Sequence, residues 1–228
     1  MSKCVAVIVS GGRGARFGGD VPKQYLEVGG KPLLAYCLQA FEECGCIDEI
    51  RLVAHKDWAK HCQQLAVQYN ISKLTHVRQG GETRQQSVFA GICDIDDDAI
   101  VLIHDGVRPF VTAGQITQAA NAAKANKAAI IAARVTDTIK QTCGGQTKTL
   151  PRDNLAAAQT PQGFIAKIIK QAHDKAVADG FDGPDDACLV ERMGLPIEII
   201  YNEGVNIKVT TKADIDYINF LHTQGGLS

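Results

Sequence analysis

The sequence predicts an α/β fold: a Rossmann-like three-layer sandwich with a mostly parallel sheet and a projecting β-hairpin arm, in a single domain over residues 1–228. Three observations lead there. Runs such as Val5-Ala6-Val7-Ile8-Val9 and Ile100-Val101-Leu102-Ile103 are apolar without alternation, as strands covered on both faces are. Amphipathic helical patterns lie between such runs, and β-α alternation builds a doubly wound sheet. A length of 228 residues suits one large core.

In chain order, β-rich runs fall at 4–9, 49–54, 74–77, 99–103, 128–133 and 197–201. Helical periodicity falls at 32–44, 57–68, 83–92, 113–126, 166–178, 185–193 and 212–221. Residues 136–157 break this rhythm: they are polar, with β-prone residues on both sides of Gly144-Gly145. A hairpin arm is the preferred reading, and such an arm needs cover, often from a second subunit. A surface loop is the alternative.

With 45% hydrophobic residues, 21% charged residues and a formal net charge of −1, the chain gives no bulk electrostatic reason to bind nucleic acid or membrane. Any anion site has to be local. The apolar run at the N-terminus is too short to span a bilayer, and a cytoplasmic protein is expected. The 8 cysteines contain no Cys-x-x-Cys pair and read as reduced, mostly buried thiols. Cys44 and Cys46, which flank one glycine at an expected helix end, read as packing rather than as a metal or redox pair.

The first strand runs into Ser10-Gly11-Gly12-Arg13-Gly14-Ala15-Arg16-Phe17-Gly18-Gly19-Asp20, where open α/β sheets bind their ligands. Glycines let backbone N–H groups approach an anion, and Arg13 and Arg16 add positive charge. The dinucleotide fingerprint fails because Phe17 stands where its third glycine belongs. The P-loop fails because Asp20 stands in place of lysine. Pro22-Lys23-Gln24 follows, and the proline should hold Lys23 at a defined place.

S-G-G-R-G-A-R-F followed by P-K-Q resembles the opening signature of sugar-phosphate nucleotidyltransferases. Four later segments resemble, in order, motifs of the 2-C-methyl-D-erythritol 4-phosphate cytidylyltransferase family. They are Ile103-His104-Asp105-Gly106-Val107-Arg108-Pro109, Asp137-Thr138-Ile139-Lys140, Gln159-Thr160-Pro161-Gln162-Gly163-Phe164 and Asn206-Ile207-Lys208-Val209-Thr210-Thr211. The resemblance implies catalytic roles for Arg16, Lys23 and Lys208, with Ser10, Gly11, Gly12, Arg13 and Gly14 wrapping the triphosphate of CTP. Gly81, Glu82 and Ser87 would meet base and ribose. Asp105, Gly106, Arg108, Thr138, Arg152 and Lys208 would surround a polyol phosphate acceptor, and Asp105 would hold Mg²⁺ or another divalent cation. The arm would carry Thr138 and Arg152 into the partner's site of a homodimer.

Two departures bear on the acceptor and the loop. Pro184 and Cys188, in Pro184-Asp185-Asp186-Ala187-Cys188, depart from the family's Thr-Asp-Asp/Glu-Ala-Ser, which keeps a ribitol 5-phosphate transferase open. Val9-Ser10-Gly11-Gly12 stands where the family has Ala-Ala-Gly, and still permits close phosphate approach. A CTP-binding module without turnover is the reading from another class, and the pair of Arg16 and Lys23 speaks against it. In the implied reaction an acceptor phosphate oxygen attacks the α-phosphorus and pyrophosphate leaves. A phosphate monoester is largely dianionic at neutral pH, its second pKa being about 6, so no general base is needed. His104 accordingly reads as structural. Asp105, in His104-Asp105-Gly106, could serve as a turn cap as readily as a ligand without the resemblance. Arg108 and Arg152 offer fork-shaped donors for a phosphate, and Lys208 is expected at a strand position facing the ligand edge.

Overall fold

The computed structural model describes residues 2–12 and 21–225. Its spine is the first apolar run, strand β1 (Cys4–Ser10). Cys4, Ala6 and Ile8 face one layer of helices and Val5 and Val7 the other, so both faces are buried. The strands that follow are β2 (Glu27–Val28), β3 (Lys31–Pro32), β4 (Glu49–Ala54), β5 (Leu74–Gln79), β6 (Ile100–Asp105), β7 (Ala128–Arg134), β8 (Lys140–Cys143), β9 (Gln146–Thr149), β10 (Ala156–Ile165) and β11 (Glu198–Tyr201). The helices are α1 (Leu33–Glu43), α2 (Ala59–Gln68), α3 (Arg84–Ile92), α4 (Ala113–Asn126), α5 (Ala166–Ala178), α6 (Ala187–Glu191) and α7 (Lys212–Thr223).

Seven strands form one sheet in the order β11-β7-β10-β6-β1-β4-β5, parallel at every pairing except those of β10. Helices α1, α2 and α4 bury Leu38, Phe41, Leu65 and Ile116 against one face. On the other, α3, α5 and α6 bury Val88, Ile92, Ile169 and Leu189. The result is the expected three-layer α/β sandwich. Helix α3 lies so close to β1 that a Cβ on Gly91 would sit 2.4 Å from Cγ1 of Val7. Glycine is what permits that approach.

Strand β10 is absent from the sequence expectation. Pro161 has no N–H to give to a ladder, and Gln159, Thr160 and Gln162 interrupt any apolar run, so the segment does not read as a central strand. The fold accommodates it with a register shift between Ala158 and Gln162 on the β7 side, which takes the proline out of the ladder. The helix expected at 185–193 is the shorter α6. Its start is fixed by the Gln162 side chain, whose Oε1 accepts from the N–H groups of Asp186 and Ala187, both at 3.1 Å. Gly194, at φ +76°, follows its C-terminal turn.

Strands β8 and β9 pair as a separate hairpin across Gly144 and Gly145, at φ +55° and +78°, as the predicted turn requires. Every residue of the two strands is exposed. Ala156 and Ala157, expected in the arm, belong instead to β10 of the main sheet. The eight cysteines are free. Cys4, Cys37, Cys44 and Cys62 are buried, but Cys93 and Cys143 are exposed because one ends α3 and the other lies on the hairpin. No described helix is long and apolar enough to cross a membrane.

At the end of the sheet remote from the strand carboxyl termini, buried Glu49 pairs with Lys3 and accepts from Arg51 at 2.7 Å and Thr75 at 2.8 Å. Burial raises its pKa, but these donors outweigh it and bring it from 4.5 to about 2. A depressed carboxyl pKa stabilises the fold above the unfolded-state value and loses that contribution as pH falls through the folded one. Glu49→Gln is therefore expected to cost up to about 3 kcal/mol at neutral pH, a cost that shrinks as pH falls from about 4.5 toward 2 and is gone only below the folded value. Urea unfolding of both proteins across that range checks it; curves that stay parallel would remove Glu49 as the source.

Candidate active site

Strands β1 and β6 end side by side, Val9 opposite Asp105, and the Gly106 N–H donates to the Val9 carbonyl at 2.9 Å. A cleft of about 1070 Å³ opens beyond these carboxyl ends. Ser10, Gly11 and Gly12 line one wall. Buried Gln24 pins that wall, its Nε2 donating to the carbonyls of Ser10 at 2.7 Å and Gly12 at 3.2 Å. The opposite wall is the turn into α3. There the Gly81 N–H donates to Ser87 Oγ at 3.1 Å, and that hydroxyl donates onward to the Thr83 carbonyl at 2.9 Å. A Cβ on Gly81 would sit 2.4 Å from Cβ of Gln86, so the turn closes only on glycine.

The rim of the cleft is cationic. Lys23 follows Pro22, whose φ is −61°, and its Nζ donates to the Val209 carbonyl at 2.8 Å. The Asp105 carboxylate takes three cations: Lys208 Nζ at 2.9 Å, Arg84 Nε at 3.3 Å and Arg108 Nε at 3.4 Å. Burial raises the pKa of Asp105, yet Arg84 first and then Lys208 outweigh it and hold the carboxyl well below the usual carboxylate range. Arg84 reaches a second buried carboxylate, Asp186, at 2.7 Å. Burial pushes His104 down to about 4, so it is neutral at pH 7. Thr160 Oγ1 accepts from the Asp105 N–H at 3.1 Å and so donates to His104 Nδ1 at 3.1 Å. The Nε2–H of His104 then donates to the Arg108 carbonyl at 3.2 Å. His104 thus braces the turn after β6, in keeping with its structural reading.

The fold gathers Ser10, Gly11, Gly12, Lys23, Gly81, Glu82, Ser87, Asp105 and Lys208 around one cleft. Arg13, Gly14 and Arg16 lie outside the described residues. Gly106 packs behind the wall, where a Cβ would meet Leu34 at 3.1 Å and Ser10 at 3.2 Å. Arg108 is buried beneath Asp105, with Nη1 on the Asn206 carbonyl at 2.8 Å. Thr138 and Arg152 are exposed beside the hairpin, and neither lines the cleft of its own chain. Lys208 does not lie in a strand, contrary to expectation. Its segment crosses the strand ends, joined to the turn after β6 by the Val209 N–H on the Val107 carbonyl at 3.0 Å, so no ladder forms.

Sequence reasoning missed Arg84, Asp186 and Gln24. A signal existed for Arg84: a cation opening a helix opposes the helix dipole and calls for nearby carboxylates. Among the described residues no group of three or more His, Cys, Asp or Glu side chains could hold a metal ion. Asp105 and Glu82 are the carboxylates lining the cleft, and a divalent cation held there by one carboxylate would take its remaining oxygens from substrate phosphates.

A family profile for 2-C-methyl-D-erythritol 4-phosphate cytidylyltransferase matches residues 4–224. The enzyme of that name from Geotalea uraniireducens (strain Rf4) is 40% identical over 218 residues, covering 93% of this chain and 94% of the relative. That from Geobacillus kaustophilus (strain HTA426) is 42% identical over 211 residues, covering 92% of each. Among solved structures, 4-diphosphocytidyl-2C-methyl-D-erythritol synthase from Anaerococcus prevotii DSM 20548 superposes with a TM-score of 0.87 at 32% identity, covering 97% of this chain and 96% of that one. The 2-C-methyl-D-erythritol 4-phosphate cytidylyltransferase of Francisella tularensis gives 0.80 at 31% identity, covering 96% and 99%. With a profile match and such relatives along nearly its whole length, the chain belongs to the 2-C-methyl-D-erythritol 4-phosphate cytidylyltransferase family.

Proposed function

We propose that this chain, acting as one nucleotidyltransferase domain, joins CTP and 2-C-methyl-D-erythritol 4-phosphate to give 4-diphosphocytidyl-2-C-methyl-D-erythritol and pyrophosphate, a step toward isoprenoid precursors. The observation that carries the reading is the meeting of Lys23 and Lys208 at a cleft with a glycine wall on each side. The chemistry needs two polyanions held together while charge builds on the α-phosphoryl oxygens and the leaving group, which fixed cations achieve. Lys23 and Arg16 are assigned to the triphosphate, Lys208 and Arg108 to the acceptor side, and Gly81, Glu82 and Ser87 to base and ribose. Asp105 would give one oxygen to Mg²⁺, which when bound neutralises charge on the departing pyrophosphate.

A second copy of the chain is the proposed cover for the exposed hairpin, since an isolated two-stranded ribbon is marginal in water. It would bring Thr138 and Arg152 to the partner's cleft. Eight free thiols accord with a reducing, cytoplasmic location. Pyrophosphate release measured with CTP and each acceptor tests the assignment. Release with methylerythritol phosphate is expected; release with ribitol 5-phosphate alone would move the chain to the sibling activity, and CTP binding without release from any acceptor would make it a binding module. Sedimentation tests the dimer.

A further inference from the structure

Buried charge continues past the cleft wall. Arg84 lines the cleft, but Asp186 does not: it is 1% exposed at the start of α6, on the far side of the guanidinium. Its Oδ2 lies 2.7 Å from Arg84 Nη1, and its Oδ1 lies 3.4 Å from Nε2 of His173, which is equally buried. Two side chains outside the cation cluster hold the backbone around Asp186. Gln162 on β10 accepts from the Asp186 N–H at 3.1 Å. Gln85, next to Arg84, donates to the Phe181 carbonyl at 3.1 Å and accepts from the Gly183 N–H at 2.9 Å, which ties the approach to α6 to the start of α3.

We propose that Asp186 is a positioning residue for the transfer reaction: by taking one edge of the Arg84 guanidinium it sets the other edge on Asp105, and through Asp105 it sets Lys208. Arg84, Arg108 and Lys208 face the two carboxylates Asp105 and Asp186. Asp105 is thereby shared among three cations and Arg84 between two anions. The guanidinium meets the two carboxylates through different nitrogens of one rigid plane, Nε toward Asp105 and Nη1 toward Asp186, so turning it toward one turns it away from the other. With Asp186 neutralised, Arg84 is free to turn fully onto Asp105, and Lys208, whose contact is 40% exposed on the lysine side, is the partner displaced.

The inference rests on the transferase reading, and its test separates the two. Asp186→Asn and Arg84→Lys are made singly and together, and kcat for pyrophosphate release is measured alongside the calorimetric Kd for CTP. A misplaced reacting group costs far more in turnover than in binding, so Asp186→Asn should lower kcat about tenfold with the CTP Kd within about twofold of wild type. The double variant should be no slower than Arg84→Lys alone, because both changes break one relay. A folded Asp186→Asn with kcat within about twofold of wild type, or losses that multiply in the double variant, would overturn the proposal. If Asp186→Asn fails to fold, Asp186→Glu, which keeps the charge but moves it, decides by the same criteria: kcat lowered with the CTP Kd kept supports the relay, and an unchanged kcat overturns it. If wild-type protein releases no pyrophosphate, the reaction assignment fails instead. The relay is then judged from the Asp186→Asn crystal structure: Lys208 beyond hydrogen-bond reach of Asp105 supports it, and an unchanged contact refutes it.

Discussion

Replacing Lys23 by alanine is expected to lower kcat by about a hundredfold or more while leaving the fold intact. The loss follows from removing one fixed charge-stabilising contact, worth on the order of 3 kcal/mol in the barrier. Lys23 is well placed for that role. It sits in a short 3-10 turn after Pro22, partly exposed at the cleft, with its ammonium on the Val209 carbonyl at 2.8 Å. That acceptor belongs to the segment carrying Lys208, so the two cations are held by one stretch of chain. Losing the partly exposed hydrogen bond to Val209 costs stability about 1 kcal/mol, a shift of a few degrees in melting temperature. Pyrophosphate release and a thermal melt on the same preparation check both halves. Near-wild-type turnover would remove Lys23 from the chemistry, whereas a collapse in melting temperature would recast it as a structural residue.

What the sequence made legible is what local chemistry dictates. Val5 to Val9 and Ile100 to Ile103 could be read as strands covered on both faces because their apolarity does not alternate, and the glycine loop lies where β1 ends. Helices α4 and α5 have the expected bounds because a Thr112 capping box and a long amphipathic pattern mark them. β10 was not legible: Pro161 and the glutamines are strand-averse, and only pairing with β6 and β7 makes the segment extended. The same holds for the cation cluster. Asp105, Lys208 and Arg108 stand out through motif resemblance, but Arg84 and Asp186 matter through contacts between residues far apart in the chain, which no spacing along the chain reveals. Lys208 was expected on a strand, yet its neighbours Ile207 and Val209 pack with hydrophobic residues of α7 and the turn after β6.

Asp105→Ala is expected to damage stability and turnover together. The carboxylate is 6% exposed and holds Arg84, Arg108 and Lys208. Removing one member of a buried charge cluster leaves the others unmatched, at a cost of about 3 kcal/mol. Arg84 and Arg108 carry most of that cost. Arg84 retains Asp186 and Arg108 retains the Asn206 carbonyl, which keep the loss finite. The Lys208 contact contributes little to stability, because a lysine 40% exposed is screened by water. Its loss falls on the reaction instead, since an ammonium released from Asp105 no longer has a fixed place at the rim. Turnover should drop about a hundredfold. Asp105→Asn separates the two effects: it keeps the shape and an acceptor oxygen for the buried arginines but removes the charge that holds Lys208. Urea unfolding should then show a smaller loss for asparagine than for alanine, with kcat equally low in both. A variant that loses stability but keeps its turnover would make Asp105 a brace for the arginines and leave Lys208 to find its place by contact with the substrates alone.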